Sequence, residues 1–473
     1  MYNDDLGDSL RRQQILKLVE QFEKMLKSNN SMYFSVEEFE DIVEYYESYF
    51  EFGKALKVVL HAESIYRYVS FFRVKKAQLL IELKQYKRAF HALEEAEILS
   101  PLQIEIQMLR AEIYANTNHY KEAICELREA LGRADKVEKV DIYMAMSDIY
   151  DSISNNQMAY KCLEKALALQ PDHETALSRI DYFVEQDRCY AKSICLHEKI
   201  IDRVPYCYLA WYNLGNAYFA LHQYDKAIEA YDYVTAINEK YDLAYRNTGH
   251  AYFLMGNYER AKQNFIEASA YDDEPDDELY YYIALCYHNL AEIDNTLLYI
   301  DKCLGINPAN HQALFLKGQC CASMYDYMNA LDLFDQTLRV EKNDHRCMAA
   351  IANIHHELEN FEMAITFYQY AIAQCPEQLD YYRALALIYI DQQRPNEALS
   401  LSFAAMGKSE KEMPQFCYLA ALALFAGGCK KQALDYCAKG LAEDFDAHQI
   451  LYNTMPTLLL NNQLKALVAL YQP

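Results

Sequence analysis

An all-α fold of stacked helical pairs is the class this sequence predicts, and three observations carry the prediction. One spacing of small, apolar and aromatic residues recurs with a period of 34 along most of the 473-residue chain. Inside each period apolar residues fall at i, i+3, i+4 and i+7, the pattern of an amphipathic helix, and they do so twice. Helix breakers are scarce, with 12 glycines and 10 prolines, while 52% of the residues are hydrophobic. That balance favours a folded helical chain over a disordered one.

The elements follow in order. Residues 1–35 form an N-terminal cap, with a helix over 8–29 and Asp8 or Ser9 as its N-cap. Twelve frames then occupy residues 36–447, starting at Val36, Ser70, Ile104, Val140, Glu174, Tyr208, Asp242, Asp277, His311, His345, Leu379 and Pro414. A two-residue insertion, Glu138 and Lys139, follows the third frame. Residues 448–473 form a C-terminal helical cap interrupted near Pro456.

Fixed positions inside the frame explain the pairing. Position 8 is small, as at Ala77, Ala111, Gly215, Gly249, Ala284, Gly318, Ala352, Ala386 and Ala421, so that two helices approach closely. Position 20, read as its facing partner, is Ala in ten frames, from Ala55 to Ala433. Overpacking such a contact costs about 1–3 kcal/mol. Position 17 opens the second helix with an aromatic ring in eight frames, Tyr224 and Tyr258 among them. Position 32 carries Pro101, Pro171, Pro205, Pro308 and Pro376, which stop the second helix. The fifth frame departs most, with Asp181, Ser193 and His197 at positions 8, 20 and 24, and predicts altered stacking over residues 174–207. Val43, Thr296 and Pro395 are lesser departures.

The frame with Trp211, Leu214, Gly215, Tyr218, Ala227 and Tyr231 resembles the tetratricopeptide repeat (TPR), whose pattern is W-x2-L-G-x2-Y, then A-x3-F, then P. The resemblance implies a right-handed superhelical TPR solenoid of about twelve helix-turn-helix repeats with terminal capping helices. Neighbouring repeats stack because none buries its apolar face alone. It also implies that first helices line a concave groove through positions 2, 5, 6, 9, 12 and 13.

Those positions give a composition map. The amino-terminal groove is acidic, with Glu37, Glu40, Asp41, Glu44, Glu47, Glu105, Glu112, Asp141, Asp148 and Asp151. It reads either as a seat for a basic segment or as a solvated helix face. The middle groove presents Tyr182, Tyr212, Asn213, Asn216, Phe219, Arg246, Asn247, His250, Phe253, Tyr281, Tyr282 and Phe315. Asparagine amides can clamp the backbone of an extended peptide, rings supply contact area, and arginine takes a carboxylate bidentately. These residues are the candidate peptide-binding site, although Tyr212, Asn213 and Asn216 are also common choices of the family. Two family binding modes fail on inspection. Asn216 and Asn247 fit the carboxylate clamp, but Tyr212, Glu278 and Tyr282 stand where its basic residues belong. Only Asn213 and Asn247 satisfy a long asparagine ladder.

Other chemistry finds no support. A net charge of −24 disfavours nucleic acid and favours proteins with basic segments. No apolar run suits membrane insertion, and no basic leader precedes one, so a cytoplasmic location is expected. The 14 cysteines lack C-x-x-C pairing and read as free thiols. Cys303, Cys321 and Cys437 fall on packing positions. No metal site is indicated: His355 and His356 lack an i+4 partner, and the acidic loop 272–278 lacks a calcium-loop pattern. The stretch 402–409, SFAAMGKS, ends like a P-loop but has Ser402 in place of the first glycine. His250 and His356 face the groove and would make binding pH-sensitive if they titrate. The sequence therefore predicts no enzyme and no cofactor. It predicts an adaptor that holds a peptide or protein segment in its groove. The alternative is a self-associating scaffold that arranges partners on its outer surface.

Overall fold

A computed structural model of the chain describes residues 4–28, 32–409 and 413–472, with only the backbone of residues 4–10. It is all-α: helices follow one another in antiparallel pairs, and no strand occurs among the described residues. The chain divides into two compact units, the first ending at Glu239 and the second beginning at Lys240.

Helix starts follow the frame closely. First helices begin at Val36, Ser70, Ile104, Glu174, Tyr208, Asp242, Asp277, His311, His345 and Leu379. Second helices begin at position 17 of each frame, from Phe52 and Tyr86 to Pro395 and Lys430. Two first helices start early, at Lys136 and Met413. The first of these has a local cause. Asp135 accepts from the backbone N–H groups of Val137 and Glu138 at 2.8 and 2.9 Å, and Glu138 accepts from Asp135 N–H at 2.8 Å. This reciprocal capping box satisfies three orphan donors. It turns the Glu138–Lys139 insertion into an extra helical turn, not a loop.

The turn inside each pair is the same throughout. Position 15 has positive φ in every frame, at Phe50, Lys84, Asn118, Ser154, Arg188, His222, Gly256, Ala291, Tyr325, Glu359, Gln393 and Gly428. In the Ser70 repeat, Lys84 N–H bonds Ile81 O at 2.8 Å and Gln85 N–H bonds Leu80 O at 2.8 Å. This is a Schellman closure, which uses two carbonyls the helix end leaves open. Only two of the twelve residues are glycine, so the strain of the left-handed region is borne by ordinary side chains and offset by that closure.

The partner of position 8 is position 24, which corrects the assignment to position 20. A Cβ built on Gly215, Gly249 or Gly318 would meet the ring of Tyr231, Phe265 or Phe334 at 2.4, 2.7 or 2.5 Å. Glycine stands opposite these three rings, alanine stands beside Leu93, Leu127 or Ile300, all fully buried, and Ala352 stands opposite the ring of Tyr368. The alanines of position 20 are themselves fully buried, as at Ala55, Ala89 and Ala123.

The ends differ from expectation in detail. The first helix runs Asp4–Ser28, so Asp8 and Ser9 lie inside it and are not its N-cap, while Asn29 lies outside the described residues. Its Phe22 packs edge-on against Phe34 and Phe39, closing the first unit's apolar core. At the other end, two short 3-10 turns and the helices Gln449–Thr454 and Asn462–Tyr471 cover the second unit through Leu451, Leu458 and Leu464.

Candidate peptide-binding faces

The predicted site residues divide between the units, with Tyr182, Tyr212, Asn213, Asn216 and Phe219 in the first and the other seven in the second.

In the first unit the asparagines are structural. Asn213 is 2% exposed, and its Nδ2 donates to Leu177 O at 2.7 Å and lies 3.3 Å from His197 Nε2. His197 is fully buried, with Nδ1 2.8 Å from Ser193 O. That geometry places the proton on Nδ1 and leaves Nε2 to accept from Asn213. Burial holds the imidazole pKa down at about 4. Asn216 is also engaged at both ends: its Nδ2 donates to Asp181 at 2.9 Å, and its Oδ1 accepts from Tyr231 Oη at 2.8 Å. Burial pushes the Asp181 carboxyl up to about 6, against the lowering effect of the Asn216 bond. Of the rings, Tyr182 is exposed, Tyr212 is half-buried beside Tyr231, and Phe219 packs edge-on against Tyr224.

In the second unit Arg246 already holds a carboxylate. Its Nη1 and Nη2 donate to the two oxygens of Asp276 at 2.9 and 3.0 Å. Asp276 in turn caps the next helix by accepting from Leu279 N–H at 2.8 Å. The neighbouring Asp277 accepts from Asn307 and Asn310 at 2.8 and 2.9 Å. The acidic loop is therefore tied into the fold at these two residues rather than merely solvated. Asn247 is half-buried. His250 sits edge-on to Phe265 and Tyr282, at 4.9 and 4.4 Å between ring centroids. Burial, with Arg246 nearby, lowers its pKa to about 4. It stays neutral at physiological pH and is no switch there. Tyr281 and Phe315 lie near Arg346, whose guanidinium rests 5.3 Å from the Phe315 centroid and pairs with the buried Asp344.

The frame explains the asparagines of position 9. Tyr231 and Tyr368 stand at position 24, and each gives its hydroxyl to an asparagine at position 9, Asn216 and Asn353. Where position 24 is Phe265 or Phe334, position 9 is His250 or Gln319. Co-occurrence of Tyr and Asn within a frame was a legible signal of an internal bond.

A cavity of about 310 Å³ opens on the first-helix side of the second unit, between helices His311–Ser323 and His345–Glu357. Its walls are the exposed Gln319, Asn353 and Glu357, and Tyr327 and Phe334 contribute rings. The positions chosen from sequence did not include these residues: Asn353 and Glu357 lie in the tenth frame, beyond the map, and Gln319 occupies a groove position of the ninth that was not chosen.

The acidic face of the first unit is partly neutralised from within. Asp41 lies 3.5 Å from Arg11, Glu47 3.0 Å from Lys75, and Asp148 pairs with Arg179. Glu40, crowded by burial and by Glu37, Glu44 and Asp41, has a raised pKa. The P-loop-like stretch is helix end and turn: Ser402 is buried and donates to Ala398 O at 2.8 Å, and Lys408 lies 3.6 Å from Glu377. Among the described residues there is no cluster of three metal-ligating side chains and no helix long and apolar enough to cross a membrane.

These features define a protein of repeated α-helical hairpins. Tetratricopeptide repeat models match residues 208–241 and residues 140–173, 277–310 and 345–378. The chain is a tetratricopeptide repeat protein with multiple repeats, and no catalytic domain is identified. No curated protein matches it. Among solved structures it is similar to the Cut9–Hcn1 hetero-tetramer of the APC/C, at 15% identity over 90% of this chain and 95% of that one, with a TM-score of 0.41. YrrB, described as a TPR protein with an unusual peptide-binding site, matches at 20% identity over 40% of this chain and 96% of its own, with a TM-score of 0.36. MamA matches at 17% identity over 36% of this chain and 98% of its own, with a TM-score of 0.33.

Proposed function

We propose that this protein is an interaction adaptor that holds an extended segment of another protein against the first-helix side of its second unit. Tetratricopeptide repeats mediate protein–protein interactions, and what supports this location is the 310 Å³ cavity with three exposed polar walls. Gln319, Asn353 and Glu357 offer donors and acceptors at its mouth, and the Asn353 amide nitrogen has no partner of its own. A side chain of the bound segment enters beside Tyr327 and Phe334, while the Phe315–Arg346 pair and Tyr281 extend the contact. Exposed Glu357 favours a segment with a basic residue at that point. The first unit contributes the exposed Tyr182 and the half-buried Tyr212 and Phe219 as further rings.

The test is a crosslinked affinity purification with mass spectrometry, wild type beside Gln319→Lys/Glu357→Lys. Both residues are exposed, so the variant keeps its helical spectrum and melting temperature. Loss of specific partners in the variant supports the cavity as the binding face. Full retention of every partner contradicts it, and recovery of this chain alone favours self-association.

A further inference from the structure

The first unit carries a concavity on its other side. A cleft of about 1060 Å³ opens between the second helices Asn156–Leu169 and Tyr190–Arg203 of two successive repeats. Its volume lies above the roughly 300–1,000 Å³ usual for small-molecule pockets, and so suits a length of chain rather than an ion.

Charge in this cleft runs against the rest of the molecule. Lys161, Lys192 and Lys199 line it, all three are exposed, and none is ion-paired. In a chain of net charge −24, three unpaired lysines on one concavity form a local positive field. The two helix N-termini add to it. Asn155 caps the first of them through its side chain, but Cys189, at the head of the second, makes no side-chain cap and leaves first-turn N–H groups open. The wall also holds Glu164 and Asp187, the latter accepting from Asn156 at 3.3 Å. The charged lining is thus three lysines against two carboxylates. Tyr160 forms part of the lining, is 8% exposed, and its hydroxyl has no hydrogen-bond partner. A polar group left unmatched beside an apolar wall is costly unless a ligand or solvent meets it.

We propose that this cleft docks an acidic segment of a partner protein, with its carboxylates paired to Lys161, Lys192 and Lys199. The surface is separate from the first-helix cavity of the second unit, so the chain would join a basic segment and an acidic one.

The experiment uses the full chain and a fluorescein-labelled deca-glutamate peptide, read by fluorescence polarisation. The wild type binds, and binding weakens with added salt. Lys161→Gln/Lys192→Gln/Lys199→Gln weakens it about tenfold, as the loss of three exposed charge pairs implies. The corresponding triple Lys→Arg variant restores it. A control triple on exposed lysines of the same unit, Lys57→Gln/Lys87→Gln/Lys121→Gln, changes net charge equally and leaves binding intact. A footprint gives the location: Cys195 lines the cleft and is exposed, so bound peptide slows its maleimide labelling, while the exposed Cys125 and Cys429 label at unchanged rates. No binding by the wild type, equal loss in the control triple, or unprotected Cys195 each overturns the proposal. Circular dichroism melts establish that every variant is folded.

Discussion

The Glu174 repeat and the Asp242 repeat solve the same packing problem with opposite chemistry. In the Asp242 repeat, position 8 is Gly249 and position 24 is the fully buried ring of Phe265, so the helices close over an aromatic plate. In the Glu174 repeat the same positions hold Asp181 and His197, joined to Asn216, Ser193 and Asn213 by hydrogen bonds. The first repeat type is stabilised by burial of apolar area. The second keeps its shape by satisfying polar groups, and it carries an ionisation cost wherever Asp181 must be charged. The departure seen in the sequence at residues 174–207 is thus a polar core, not a gap in the stack.

The largest effect is expected from deleting the plate. Phe265→Ala removes a fully buried ring and should cost about 3–5 kcal/mol in urea unfolding. An equally large cost for His197→Ala would erase the contrast between the two repeats.

Next comes pH. Burial pushes the Asp181 carboxyl up to about 6 in the fold, against 3.8 for a free aspartate. The folded state therefore holds the proton more tightly between pH 4 and 6, and this residue's contribution falls as pH rises through that window. Asp181→Asn should stabilise the protein at pH 7 by up to about 3 kcal/mol, and the gain should vanish toward pH 4. His197 has the other sign. Its folded value near 4 lies below the 6.5 of a free imidazole, so its stabilisation is complete above 6.5 and is lost as pH falls toward 4. His197→Gln should flatten that acid limb. Thermal melts of wild type and both variants from pH 4 to 8 separate the two, and parallel curves for all three would contradict both assignments.

Asn213→Ala should cost about 1–3 kcal/mol, because it strips buried Leu177 O and His197 of their partner. A groove-facing asparagine would show almost no change. The smallest effect belongs to the exposed cavity walls: Gln319→Ala and Glu357→Ala should each stay within about 0.5 kcal/mol of wild type. A larger loss would make them part of the packing.

Most of the helix positions were legible because the frame repeats the same constraints. Proline at position 32 and small residues at position 8 mark boundaries and close contacts by local sterics, which any single sequence displays. The internal turn was not legible. Its left-handed residue is Phe50, Lys84 or Tyr325 as readily as Gly256, because the Schellman closure and not the side chain sets the conformation. The site was read less well than the fold. Asn213, Asn216 and Arg246 look free on a helix wheel, yet their partners lie about 15 to 36 residues away, at Tyr231, Leu177 and Asp276. Periodicity reports which face a residue occupies and says nothing of what already fills its hydrogen bonds.

The central claim is that positions 8 and 24 are one coupled unit, and a double-mutant cycle at Gly249 and Phe265 tests it most directly. Gly249→Ala alone would place a Cβ 2.7 Å from the ring and should destabilise by about 1–3 kcal/mol. Phe265→Leu alone leaves unfilled space. The double variant recreates the Ala111 and Leu127 pairing that this chain already uses. The account predicts that it costs clearly less than the sum of the single changes, by about 1 kcal/mol or more. Additive losses in urea unfolding would show that the two positions do not read each other and would contradict it.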